Sequence, residues 1–146
     1  MGMWYSARVV YNKPVEFGGL AKKKELYLVD ALSFTEAEAR VLEELKENQD
    51  IRVTALKIED VAGIIESIET EEMKLYKVKV NFTDPDGKVI TSDNNIVYAA
   101  STDKALARIK EHLADTIGDY KIHSIAETKY VDVIFYKLDP ETEETK

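Results

Sequence analysis

The sequence predicts an α+β fold built from two ββαβ repeats. The sheet is expected to be mainly antiparallel, with two helices packed on it and pseudo-two-fold symmetry. Three observations carry this. Period-two alternation marks Trp4–Tyr11 and Leu75–Phe82 as half-buried strands. Tyr27 to Arg40 (YLVDALSFTEAEAR) reads as a strand end followed by a capped helix start. A weaker copy of that junction returns at Ile96 to Arg108.

In the first half, Tyr5, Ala7, Val9 and Tyr11 fall on one strand face, and Trp4, Ser6, Arg8 and Val10 on the other. Asn12 to Ala21 contains Pro14, Gly18 and Gly19 and reads as a hairpin loop. Leu26–Val29 is the returning strand. Ser33 is the expected N-cap, because Glu36 three residues on completes a capping box. Phe34, Ala37, Val41, Leu42 and Leu45 form the apolar helix stripe, and the helix fades at Asn48–Asp50. Ile51 to Ile68 is β-rich but changes phase near Glu59, Asp60 or Gly63, as a bulge or two strands would. Glu69 to Glu72 is a charged connector.

The second half restarts the order. Tyr76, Val78, Val80 and Phe82 share one face, and Lys77, Lys79 and Asn81 the other. Asp84-Pro85-Asp86-Gly87 is a turn. A returning strand ends at Ala99, and Thr102 or Asp103, with Ser101 also read as a cap residue, starts a helix with Ala105, Leu106, Ile109 and Leu113 inward. Gly118 is the expected C′ residue. Tyr120 to Tyr136 is the last β segment. The expected organisation is one domain, 1–138, made of repeats 3–70 and 73–136, with a disordered acidic tail at 139–146. Matched apolar positions recur at nearly constant offset, and Ala-x-Ala-Arg follows the strand in both halves, as a duplication leaves behind. A half of this size would be marginal alone, so the halves are expected to be interdependent.

Composition narrows the function. There is no cysteine, which excludes disulfides, thiolate metal sites and a cysteine nucleophile and fits a cytoplasmic location. No apolar run approaches the ~18 residues of a membrane span. The net charge of −8 opposes phosphate backbones unless the cations gather on one face. Residues 73–146 are closer to neutral than residues 1–72, so a basic face is expected in the second half.

No chemical motif is complete. His112 and His123 lack metal-ligand spacing, and Asp84-x-Asp86-Gly87 lacks the later oxygen ligands of a calcium loop. Glu59, Asp60 and Glu66 near Gly63 are the one acid group with a catalytic reading, and acids on a wet face are the simpler account. The expectation is a binding protein without metal or cofactor, not an enzyme. Its expected partner is a protein or a second copy, pairing at Trp4–Tyr11 or Leu75–Phe82 as edge strands. The runner-up is a single-stranded nucleic-acid binder. Its contact candidates are Trp4 with Arg8, and Lys74, Lys77 and Lys79. An acidic nucleic-acid mimic is a further alternative.

Trp4-Tyr5-Ser6-Ala7-Arg8-Val9, the stretch Tyr27 to Arg40 and Ile125-Ala126-Glu127-Thr128 resemble a domain-of-unknown-function family of Bacteroides-group bacteria, their phages and mobile elements. The resemblance covers nearly the whole chain. It implies an intracellular protein of phage or mobile-element context, and it brings no activity and no site residues.

Overall fold

Alternating apolar side chains give each strand one face to bury, and the chain answers with two sheets, each carrying one helix. A computed structural model describes residues 3–67 and 72–135. The expected acidic tail and most of the 69–72 connector lie outside the described residues. The elements are β1 (Met3–Pro14), β2 (Leu20–Ala31), α1 (Phe34–Glu44), β3 (Gln49–Glu59), β4 (Gly63–Ile65), β5 (Lys74–Thr83), β6 (Val89–Ala99), α2 (Thr102–His112), β7 (Asp119–Glu127) and β8 (Tyr130–Ile134). The protein is therefore a mixed, sheet-dominated α/β structure.

The strands divide into two four-stranded sheets, ordered β3-β1-β2-β8 and β4-β6-β5-β7. Contacts divide the chain likewise. Unit 1 comprises residues 1–59 and 130–146, and unit 2 comprises 60–129. In unit 1, β1 pairs antiparallel with β2 and β3, while β8 runs parallel to β2. In unit 2, β5 pairs antiparallel with β6 and β7, while β4 runs parallel to β6.

The expected edge strands are overturned by this order. β1 and β5 are interior, each bonded on both sides, and so cannot add a strand from a second chain. The margins are β3 and β8 in one sheet and β4 and β7 in the other.

Each core lies between a helix and one sheet face. In unit 1, Tyr5, Ala7, Val9 and Tyr11 pack with Ala37, Val41 and Leu45 of α1. In unit 2, Tyr76, Val78 and Val80 pack with Ala105, Ile109 and Leu113, and half-buried Phe82 joins them. The aromatic strand residues thus face the helices, as alternation predicts. Phe34 and Leu42 are exposed, so the α1 stripe is narrower than expected, although the Phe34 ring packs edge-on against Tyr5 at 5.0 Å.

Ser33 caps α1 by accepting the Glu36 N–H at 3.1 Å, while the Glu36 carboxylate reaches back to the Leu32 N–H rather than to Ser33. α2 is capped by Ser101, which accepts the Lys104 N–H at 3.2 Å. Of the cap residues the sequence offers, Ser101 and not Thr102 or Asp103 takes the position. Its C-cap is Leu113, so Gly118, at φ +101, belongs to the turn into β7. The phase change after Ile51 is two strands, separated at Asp60–Ala62.

Candidate nucleic-acid interface

The expected 12–21 loop is shorter than its composition implies, because the hairpin strands run to Pro14 and restart at Leu20. This brings Lys22 and Lys24 into the sheet, opposite Asn12 and Val10. Alternation then places Lys22, Lys24 and Arg8 on the sheet face away from α1. On the other side of β1, Arg52 stands opposite Val10 and Lys57 opposite Ser6. A bulge between Arg8 and Val9 keeps both in phase, and the Thr54 hydroxyl there donates to the Arg8 carbonyl at 3.2 Å.

Arg8, Lys22, Lys24, Arg52 and Lys57 are all exposed. Among the described residues none of the five has an acidic partner within ion-pair distance. Neighbouring strands lie about 4.8 Å apart and same-face residues about 7 Å apart along a strand, so the five form one field. Acids border it, and the Glu59 carboxylate reaches in to Ser6, opposite Lys57, at 2.9 Å. Asp30 and Glu59 are opposite Trp4, and Asp50 accepts from the Asn12 amide at 2.9 Å.

Unit 2 has a smaller version. Lys77 and Lys79 share the face away from α2, and Lys121 joins them opposite Asn81. Around them stand Ser92, Asn94 and Ser124, all uncharged. Lys74 does not belong to this set. It lies on the opposite face and pairs with Glu127 at 3.3 Å, and that hydrogen bond and charge raise the pKa of its ammonium. The larger basic face therefore lies in unit 1, not in the second half of the sequence as the charge balance implied.

Trp4 shares the face of Arg8 but not its surroundings. It is half-buried, sits edge-on to Phe135 at 5.9 Å, and has carboxylates on both neighbouring strands. It is not a free stacking platform. At the far end of the hairpin, Phe17 is exposed beside Val15 and Leu20.

The other candidates separate. His112 and His123 are exposed, and among the described residues no three His, Cys, Asp or Glu side chains gather as a metal site would require. The Asp84 carboxylate accepts the Asp86 and Lys88 N–H groups at 3.0 and 2.9 Å, so it is spent on its turn. Glu59 accepts the Ser6 hydroxyl at 2.9 Å, while Asp60 and Glu66 are exposed. An open groove beside α1 is lined by Glu36, Glu43, Glu44, Arg40, Ile134 and Phe135. Arg40 is bonded to Glu36 there. Its acids make it a poor seat for an anion.

Sequence reasoning found Arg8, Lys77 and Lys79 but missed Lys22, Lys24, Arg52, Lys57 and Lys121, and it reached Phe17 only as part of the Asn12–Ala21 loop. The signal is the phase of Arg8 carried across the hairpin, and it is hidden because Lys22–Lys24 fall between the expected loop, which ends at Ala21, and the expected strand, which starts at Leu26.

Fold and site together define a sheet-based α/β protein with exposed cations on the sheet face away from its helix, while Leu28 on that same face is buried. The chain belongs to the family described as domain of unknown function (DUF4494), whose model matches residues 3–136. No curated protein and no solved structure matches it. No helix among the described residues is long and apolar enough to cross a membrane.

Proposed function

We propose that the protein binds single-stranded nucleic acid without catalysis, through the exposed cations on the sheet face of unit 1 away from α1. The observation that carries this is the group Arg8, Lys22, Lys24, Arg52 and Lys57, five cations in adjacent rows of one sheet with no acidic ion-pair partner among the described residues. A flat sheet suits splayed single strands, whereas the duplex major groove admits a helix or a two-stranded ribbon. The net charge of −8 does not prevent this. The acids of α1 belong to the helix packed on the opposite face of the sheet, so they do not stand among the cations.

We also infer that the two halves are a duplicated ββαβ repeat with pseudo-two-fold symmetry whose fourth strands are exchanged. β4 follows unit 1 in sequence but pairs in unit 2, and β8 follows unit 2 but pairs in unit 1. In that alignment Lys79 matches Arg8 and Lys121 matches Arg52. A cytoplasmic role in phage or mobile-element replication or recombination fits such binding. A second reading is a protein strand added to the outer edge of β8, where Val131 is exposed.

Fluorescence anisotropy with labelled single-stranded oligonucleotides tests the first reading. Wild type is expected to bind at low salt, and the pair R8E with R52E to lose that binding while melting as wild type does. A strand-binding protein partner captured by β8, with no oligonucleotide affinity at any salt, would favour the second.

A further inference from the structure

The β1–β2 turn is a three-residue hairpin loop. The Val15 N–H donates to the Gly19 carbonyl and the Gly18 N–H to the Val15 carbonyl, both at 3.2 Å, and Gly18 and Gly19 take φ of +87 and +85. Unit 2 builds the same bond pattern at β5–β6. There the Asp84 N–H donates to the Lys88 carbonyl at 2.8 Å and the Gly87 N–H to the Asp84 carbonyl at 2.9 Å, with Gly87 at φ +86. The unit 2 residues are those the turn favours, Asp84, Pro85, Asp86 and Gly87. Position by position, Phe17 stands where Asp86 stands.

The turn therefore has no need of an aromatic ring. Phe17 is 95% exposed, and its neighbours Val15 and Leu20 are 43% and 48% exposed. Single exposed apolar residues are ordinary. Three at one turn, leading directly into Lys22 and Lys24, are a surface with a matching ligand. We propose that Phe17 stacks on an unpaired base of the same strand whose phosphates lie along Lys22, Lys24, Arg8, Arg52 and Lys57. The inference rests on the nucleic-acid reading above. A bilayer would also take a cationic tip with an exposed ring, but it would meet only the tip. Arg8 lies six residues back from Pro14, the end of β1, or about 20 Å along the strand, so the cations extend too far for a surface touched at one end.

The test uses the full chain and a single-stranded oligonucleotide carrying a fluorescent purine analogue. Wild type is expected to quench the analogue on binding. F17A is expected to abolish the quench and weaken binding about 5- to 150-fold, the range for one stacked base. F17W should restore both, and F17D should behave as F17A with an unchanged melting temperature, since Asp86 is tolerated in the matching turn. Equal affinity and quenching by F17A, with binding still lost in R8E/R52E, would overturn the stacking role alone. Absence of wild-type binding would overturn both readings. Phe17-dependent binding to phosphatidylserine vesicles, without any quench by an oligonucleotide, would assign the tip to a membrane and overturn the proposal.

Discussion

Glu25 is gripped by two phenols. The Tyr11 and Tyr27 hydroxyls both donate to its Oε1, Tyr27 at 2.9 Å. Burial first, and then the Glu25 carboxylate, pushes Tyr11 up to about 12 and raises Tyr27 further. Burial, with the charge of Glu59, likewise moves Tyr130 up to about 12. These groups hold their protons more tightly folded than unfolded, where tyrosine titrates near ~10. Their contribution to stability is intact below that value and falls as pH rises through about 12. Tyrosinate absorbance should therefore rise late for these rings, and E25Q should bring Tyr11 and Tyr27 down; an unchanged titration would contradict the assignment. Tyr11 was legible in sequence as a helix-facing ring. Its partner was not, because Glu25 lies where the strand was not recognised.

At the scale of elements, what was legible followed from burial. β1 and β5 alternate strictly because one face meets a helix, and the α1 start shows Ser33 with Glu36 at capping-box spacing. The start of α2 stays open in sequence between Ser101, Thr102 and Asp103, because Lys104, not Glu, stands three after Ser101 and the box is absent. Lys22–Lys24 were missed because all three are exposed, leaving no alternation to read. Both caps bond one orphan helix N–H, so S33A and S101A should each cost about 1 kcal/mol, seen as a lower denaturation midpoint. Equal midpoints for S101A and wild type would return the cap to Thr102.

For the whole molecule, the partner of each strand was the illegible part. Alternation shows that a strand has a buried face but not what lies beside it, so β1 and β5 read as edges when they are interior. Leu26 pairs with Tyr130, a separation no local pattern reveals. This pairing has a consequence for stability. Ile134 is buried in the core of unit 1, so I134A should cost about 2–5 kcal/mol. Hydrogen exchange should then show protection lost in β1, β2 and α1, although Ile134 follows unit 2 in sequence. Loss confined to β5 and β6 would contradict the strand assignment.

The same pairing of distant segments assembles the cationic face, since Arg8, Lys24 and Arg52 come from three strands. Its role is tested most directly by the salt dependence of single-strand binding. Each neutralised phosphate contributes about 0.7 to the slope of log affinity against log salt, so five contacts predict a slope near −3.5. R8E/R52E, by removing two contacts, should bring it to about −2 or abolish binding. A slope near zero, or one untouched by R8E/R52E, would contradict the account.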